Sequence, residues 1–189
     1  MESRLLLIRH GPSRVVREMP ASRWTLTPTA EPICAAFARR HLAPYAPARI
    51  LTSHEPKAIR TGEIMAAVLD LPCAPAPDLH EHRRETAPWF DEAADFQAAI
   101  ARLFAHPHDV VFGEESADQA RVRFDAGIAA LLRQYPHQTL AIVTHGTVLS
   151  LFIAAHNNLD PLAFWRQLTM PACAVLALPT FALRQTITA

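Results

Sequence analysis

Two short stretches of the chain end in the same chemistry. In "LLLIRHGPS", residues 5–13, an apolar run stops at Arg9, His10 and Gly11; in "LAIVTHGTVLS", residues 140–150, another stops at His145 and Gly146. Glycine is scarce, five residues in 189, so its use directly after both histidines is informative. A glycine there lets the chain turn sharply and brings backbone N–H groups close to a bound group. Two imidazoles and a guanidinium suit a phosphoryl group. An imidazole nitrogen can attack phosphorus and carry it as a covalent intermediate, and arginine offers a planar fork that pairs two oxygens at once. Either histidine alone could simply be a polar residue ending a strand; the matched pair points to a shared anion.

That pairing requires elements that bring positions 10 and 145 together. Leu5–Ile8, Ile50–Leu51, Leu140–Val143 and Ala174–Leu178 are short apolar runs of the kind found in buried strands. Between them lie helical patterns at residues 30–43, 55–69, 93–105, 115–135 and 147–156. In the fourth, Phe124, Ile128, Leu131 and Tyr135 line one face at helical spacing. Strands alternating with helices predict an α/β fold, a three-layer sandwich with a central, mostly parallel sheet, in one domain over residues 1–189. In such sheets ligands gather beyond the carboxyl ends of the strands, where both His-Gly pairs fall. The proline-rich segment "LPCAPAPDLHEHRRETAPW", residues 71–89, reads as a long surface excursion.

Composition narrows the partners. Half of the residues are hydrophobic and 19% are charged, as in ordinary globular proteins. Lys plus Arg balances Asp plus Glu at 18 each, which argues against nucleic acid or an anionic membrane as partner. Any anion must be held by a local group of cations. Cys34, Cys73 and Cys173 are odd in number and widely spaced, so no disulfide framework or metal spacing is predicted. No stretch approaches the roughly 20 apolar residues that span a bilayer, and a cytoplasmic location is the expectation.

The chain resembles the histidine phosphatase superfamily, the phosphoglycerate-mutase-like proteins. The resemblance rests on Arg9-His10-Gly11, on "LTSHEPKAIRTGEIMA" (residues 51–66), on "DLHE" (residues 78–81), and on "GEESADQARVRF" leading into "AIVTHG". It implies that His10 is the nucleophile that becomes phosphorylated. Arg9 and His145 would bind the phosphoryl oxygens, with Gly11 and Ser13 beside them. Glu81 would protonate the leaving oxygen and later deprotonate water, which requires its pKa to be raised by burial or by the bound phosphate. No metal or other cofactor is implied, because cationic side chains supply the positive field. The implied partner is a small phosphorylated substrate.

The sequence departs from the family pattern in three places. Counted from Ser53, the second phosphate-binding arginine falls on Lys57, which keeps the charge and loses the fork; Arg60, one turn on, is the alternative. Val16 stands where an asparagine often contacts phosphate, leaving Ser13, Arg14 or Arg17 to compensate. The glycines that usually follow the proton donor are absent from "HRRETAPWF", so Glu85 rivals Glu81.

Competing readings have less behind them. "HEH", residues 80–82, lacks further ligands at zinc spacing. Cys34 and Arg40 match a cysteine-phosphatase spacing but lie within a helical pattern. A chain of 189 residues has little material for the lid a mutase needs, so hydrolysis is favoured over phosphotransfer. A pseudo-phosphatase that only binds a phosphorylated ligand is the non-enzymatic alternative. Trp24, Trp89 and Phe90 are available either as an apolar wall for an organic group or as loop anchors.

Overall fold

The computed structural model describes residues 3–189. Six strands form one sheet in the order β3-β2-β4-β1-β5-β6. They are β1 (Arg4–Arg9), β2 (Arg49–Thr52), β3 (Cys73–Pro75), β4 (Leu140–Thr144), β5 (Ala172–Ala177) and β6 (Ala182–Thr188). The first four in spatial order are parallel, and β5 and β6 run antiparallel at one edge.

Successive side chains of a strand point to opposite faces, so a strand buried on both sides must be apolar throughout. In β1, Leu5 and Leu7 enter one core and Leu6 and Ile8 the other, all four fully buried. The first core is closed by α3 (Ala93–Ala105), α4 (Ala117–Gln134), α5 (Gly146–Asn157) and α6 (Pro161–Gln167), through Leu103, Phe124, Phe152 and Phe164. The second is closed by α1 (Ala30–Phe37) and α2 (Pro56–Leu69), through Phe37 and Met65. Helices therefore cover both faces of a mostly parallel sheet.

Element boundaries follow local chemistry. Pro56 occupies the first turn of α2, where a missing N–H costs nothing. Ser116 and Gln119 cap the start of α4 reciprocally. The helix predicted over residues 30–43 keeps α geometry only to Phe37 and widens into a π-turn over Ala38–Leu42. Two strands escaped the sequence reading. In β6 only Ile187 is buried, so that edge strand has no apolar run, and β3 is a three-residue edge strand inside the proline-rich excursion. The rest of that excursion is irregular.

Candidate active site

The parallel pairing of β1 with β4 sets Arg9 opposite Thr144, so the residues that follow each strand emerge side by side. The His10 amide donates to the Thr144 carbonyl (3.0 Å), and the His10 and His145 rings lie 5.2 Å apart, edge to face. His10 Nδ1 is 2.7 Å from the Gly11 carbonyl. A carbonyl can only accept, so Nδ1 carries the proton and Nε2 keeps its lone pair. Burial, with the neighbouring His145 and Lys57, holds the His10 pKa well below 6.5. His10 is thus a neutral imidazole whose Nε2 lone pair is free.

His145 is fully buried at the start of α5. Its Nε2 lies 2.9 Å from Ser53 Oγ and 3.3 Å from Glu55 Oε1, while its Nδ1 is buried without a partner. Burial and the charge of Lys57 also hold His145 well below 6.5.

Arg9 reaches the same edge from the end of β1. Its Nη1 donates to the Leu168 carbonyl (2.6 Å), and its buried Nε has no partner. Gly146 leaves room for this approach, because a Cβ there would stand 3.2 Å from Arg9 Nε and 3.2 Å from Trp165 Nε1 and push on both side chains. A guanidinium beside the positive end of α5 is unfavourable by itself. Glu81 offsets it. Its carboxylate accepts from the amides of Thr147 (3.1 Å) and Val148 (3.1 Å) in the first turn of that helix, and from His82 (3.0 Å).

Those contacts correct one arm of the expectation for Glu81: burial does not succeed in raising its pKa in the free protein, which leaves that task to the bound phosphate. Burial does push it up, but the Arg84 guanidinium and the donated N–H groups outweigh burial and hold it far below the ordinary carboxylate range. Glu81 is a carboxylate in the free protein. Glu85 sits at the exposed rim, its amide bound by Glu114.

Lys57 is buried in the first turn of α2, where its ammonium contacts Glu55 Oε2 (2.6 Å) and the Ala21 carbonyl. Arg60 is corrected: it points away from the histidines and forms exposed ion pairs with Glu31 and Glu63, both at 3.2 Å. Gly11 is corrected as a phosphate ligand, because its amide already donates to Thr61 Oγ1 (3.0 Å). What position 11 requires is absence of a side chain, since a Cβ would meet Cys34 Sγ at 2.4 Å. Ser13 lines the cleft beside His10, and Arg17 lies at its rim, paired with Asp91 (3.0 Å).

A cleft of about 690 Å³ opens over Arg9, His10, Lys57 and Glu81. Phe90, Phe96 and Trp165 line one side, Phe90 tilted against Phe96 with ring centroids 5.7 Å apart and Phe96 edge to face with Trp165 at 6.2 Å. Trp24 both anchors and lines: its indole N–H donates to the Val16 carbonyl (3.0 Å) while its ring borders the cleft. The two histidines of "HEH" part company, His82 Nε2 bonding the Glu115 carbonyl (2.7 Å) and His80 Nε2 accepting from Arg83 (3.1 Å). Cys34 is buried within α1 with its thiol pushed up to about 11 by burial, which removes it as a nucleophile.

Two residues of this site went unread in the sequence. Glu55 bridges Lys57 and His145 and also accepts from the Glu81 amide (2.8 Å); an acid beside a lysine at a helix start reads as a solvated pair. Arg84 lines the cleft with its Nη1 buried and unpartnered and its guanidinium 5.2 Å from the Phe96 ring centre. Nothing distinguishes it in "HRRET" from its exposed neighbour Arg83.

A family model described as histidine phosphatase superfamily (branch 1) matches residues 5–187. No curated protein matches the chain. Among solved structures, the chain is similar to a variant phosphoserine phosphatase from Entamoeba histolytica in complex with phosphoserine, with TM-score 0.76 and 15% identity over 98% of this chain and 96% of that one. It is similar to YhfR from Bacillus stearothermophilus, with TM-score 0.74 and 19% identity over 98% and 96%. It is also similar to a mycobacterial glucosyl-3-phosphoglycerate phosphatase in complex with inorganic phosphate, with TM-score 0.71 and 20% identity over 97% and 96%. At these identities the likeness is one of fold.

Proposed function

Because the chain belongs to the histidine phosphatase superfamily, branch 1, we propose that it hydrolyses a small phosphomonoester through a phosphohistidine at His10. The observation that carries this reading is the neutral His10 imidazole, locked through Nδ1 on the Gly11 carbonyl with the Nε2 lone pair left free at the cleft. The similar phosphoserine and glucosyl-3-phosphoglycerate phosphatases also act on phosphomonoesters, which supports the reaction class.

In the first step His10 Nε2 attacks phosphorus, the bond from phosphorus to the ester oxygen breaks, and Glu81 gives that oxygen a proton. In the second, water attacks the phosphohistidine, Glu81 takes the water's proton, and orthophosphate leaves. The phosphoryl oxygens find Arg9 and, behind it, Lys57. Catalysis of this transfer is mostly positioning and stabilisation of developing charge. An oxyanion beside His145 would oppose Glu55 across the ring, and negative charge on both sides favours the imidazolium.

Glu81 needs a proton it lacks in the free protein. A phosphomonoester, with a second pKa near 6, can bring that proton in as its monoanion. The rate constant kcat/KM should therefore fall with rising pH above about 6, as the substrate monoanion disappears.

The test is turnover of phenyl phosphate in the presence of chelator, together with mass-spectrometric trapping of the phosphoenzyme. The expected result is turnover by the wild type, and loss of about 10³-fold or more with no phosphoenzyme in His10→Ala. Undiminished turnover by His10→Ala would end the proposal. Binding of orthovanadate without turnover would replace it with a pseudo-phosphatase.

A further inference from the structure

We infer that Arg84 is a specificity-determining residue, which selects phosphomonoesters whose leaving alcohol carries a second acidic group on a flat apolar body. The inference rests on the phosphatase reading and names the substrate class of that site.

Each cation of the cleft can be asked whether its charge is already matched. Lys57 is matched by Glu55, and Arg17 at the rim by Asp91. Arg84 is not: its guanidinium makes no hydrogen bond and no ion pair among the described residues, and Nη1 is buried. It leans over Phe96 instead. A half-buried cation attracted to Glu81 through space but hydrogen-bonded to no anion has lost hydration without a matching contact, so it is set up to receive one.

Its location fixes which part of a substrate it meets. Arg84 leans over Phe96, the middle ring of the aromatic side of the cleft, and its charge bears on Glu81 as well as on Arg9 and His145. Arg84 thus joins the aromatic wall to the group that protonates the departing alcohol, where an acid carried by that alcohol would meet it. The surroundings there are Phe90, Phe96 and Trp165, which favour a planar apolar body. Further out the rim is acidic, with Glu18, Glu85 and Glu92, so only a group held close to the ester escapes repulsion. One acid near the ester fits; an extended polyanion does not.

The backbone carrying Arg84 is held for this purpose. The Arg83 amide donates to Glu115 Oε1 (2.8 Å), the Arg83 carbonyl accepts from the Glu114 amide (3.0 Å), and the Glu85 amide donates to Glu114 Oε2 (2.9 Å). With the backbone on both sides of Arg84 fixed in this way, less order is lost when its guanidinium takes up an anion.

The test compares 3-carboxyphenyl phosphate with its neutral isostere 3-carbamoylphenyl phosphate. Wild type should favour the carboxylate by about tenfold or more in kcat/KM, the worth of a charge-assisted pair. In Arg84→Gln the ratio should fall to near one, and Arg84→Lys should retain part of it. A wild-type ratio near one, or a ratio unchanged in Arg84→Gln, overturns the inference. Binding of 3-carboxyphenylphosphonate against phenylphosphonate, measured by calorimetry, needs no turnover. If neither ester is hydrolysed yet the carboxylate is preferred through Arg84, the phosphatase reading falls and this one stands; equal binding of both phosphonates sinks it.

Discussion

Lys57 occupies the place where the family pattern has a forked cation, and its ammonium is already held between Glu55 and the Ala21 carbonyl. The Glu55 carboxylate is about as buried as the lysine, so each charge compensates the other out of water. Removing one partner should then act oppositely on two measurements. Glu55→Gln leaves a buried ammonium without its counter-charge and should cost about 3 kcal/mol in urea unfolding. The same change frees Lys57 for an incoming anion, and orthophosphate should bind about tenfold more tightly by calorimetry. Unchanged phosphate affinity would mean that Lys57 does not face the anion. At this scale the sequence was readable where a residue type is tied to a strand end, as for Arg9, His10 and His145. It was silent where meaning comes from a contact across the fold, as for Glu55 with His145 and Arg84 with Phe96.

Among the elements, the loop that carries Glu81 and Arg84 depends on a turn far along the chain. Gly113 adopts φ +82°, a left-handed conformation that side chains resist, and a Cβ there would meet the Arg83 carbonyl at 2.3 Å and Arg84 Cα at 2.7 Å. Gly113→Ala should therefore cost about 1–3 kcal/mol of stability from backbone strain alone. It should also erase the preference for carboxylate-bearing esters by displacing Arg84, readable from the ratio of the two aryl phosphates. Retention of that ratio would show that the turn does not hold the arginine. This dependence explains what could be read beforehand. Strands β1 and β4 announce themselves because a strand covered on both faces must be apolar at every position, and α4 because one face repeats at helical spacing. Strand β6, with Ile187 alone buried, carries no such pattern. The path of residues 83–86 is set by Gly113 and Glu114, and no local periodicity in "HRRET" encodes a partner so distant.

For the whole molecule, gathering ionisable groups at one buried sheet edge makes stability a function of pH with a definite sign. His10 and His145 are held neutral in the fold, with pKa values well below the ordinary 6.5, and His82 is shifted the same way by burial. Above pH 6.5 neither the folded nor the unfolded chain binds these protons, so they contribute nothing. Below pH 6.5 the unfolded chain takes up protons that the folded chain refuses. Stability should then fall by about 1.4 kcal/mol per pH unit for each such histidine. Glu81 and Glu115 act in the same direction lower down. Their folded pKa values lie below the ordinary 4.5, so the stability they provide is present above that value and lost as pH falls through the folded ones. The protein should accordingly be least sensitive to pH just above neutrality and weaken continuously on the acid side. Urea unfolding from pH 7.5 to pH 5 checks the slope, and the imidazole C–H resonances of His10 and His145 should stay at their neutral positions across that range. A flat stability profile across that range, with both rings titrating near 6.5, would mean that the two imidazoles are hydrated rather than buried, and the pre-formed free lone pair of His10 Nε2 on which the proposed chemistry depends would be lost.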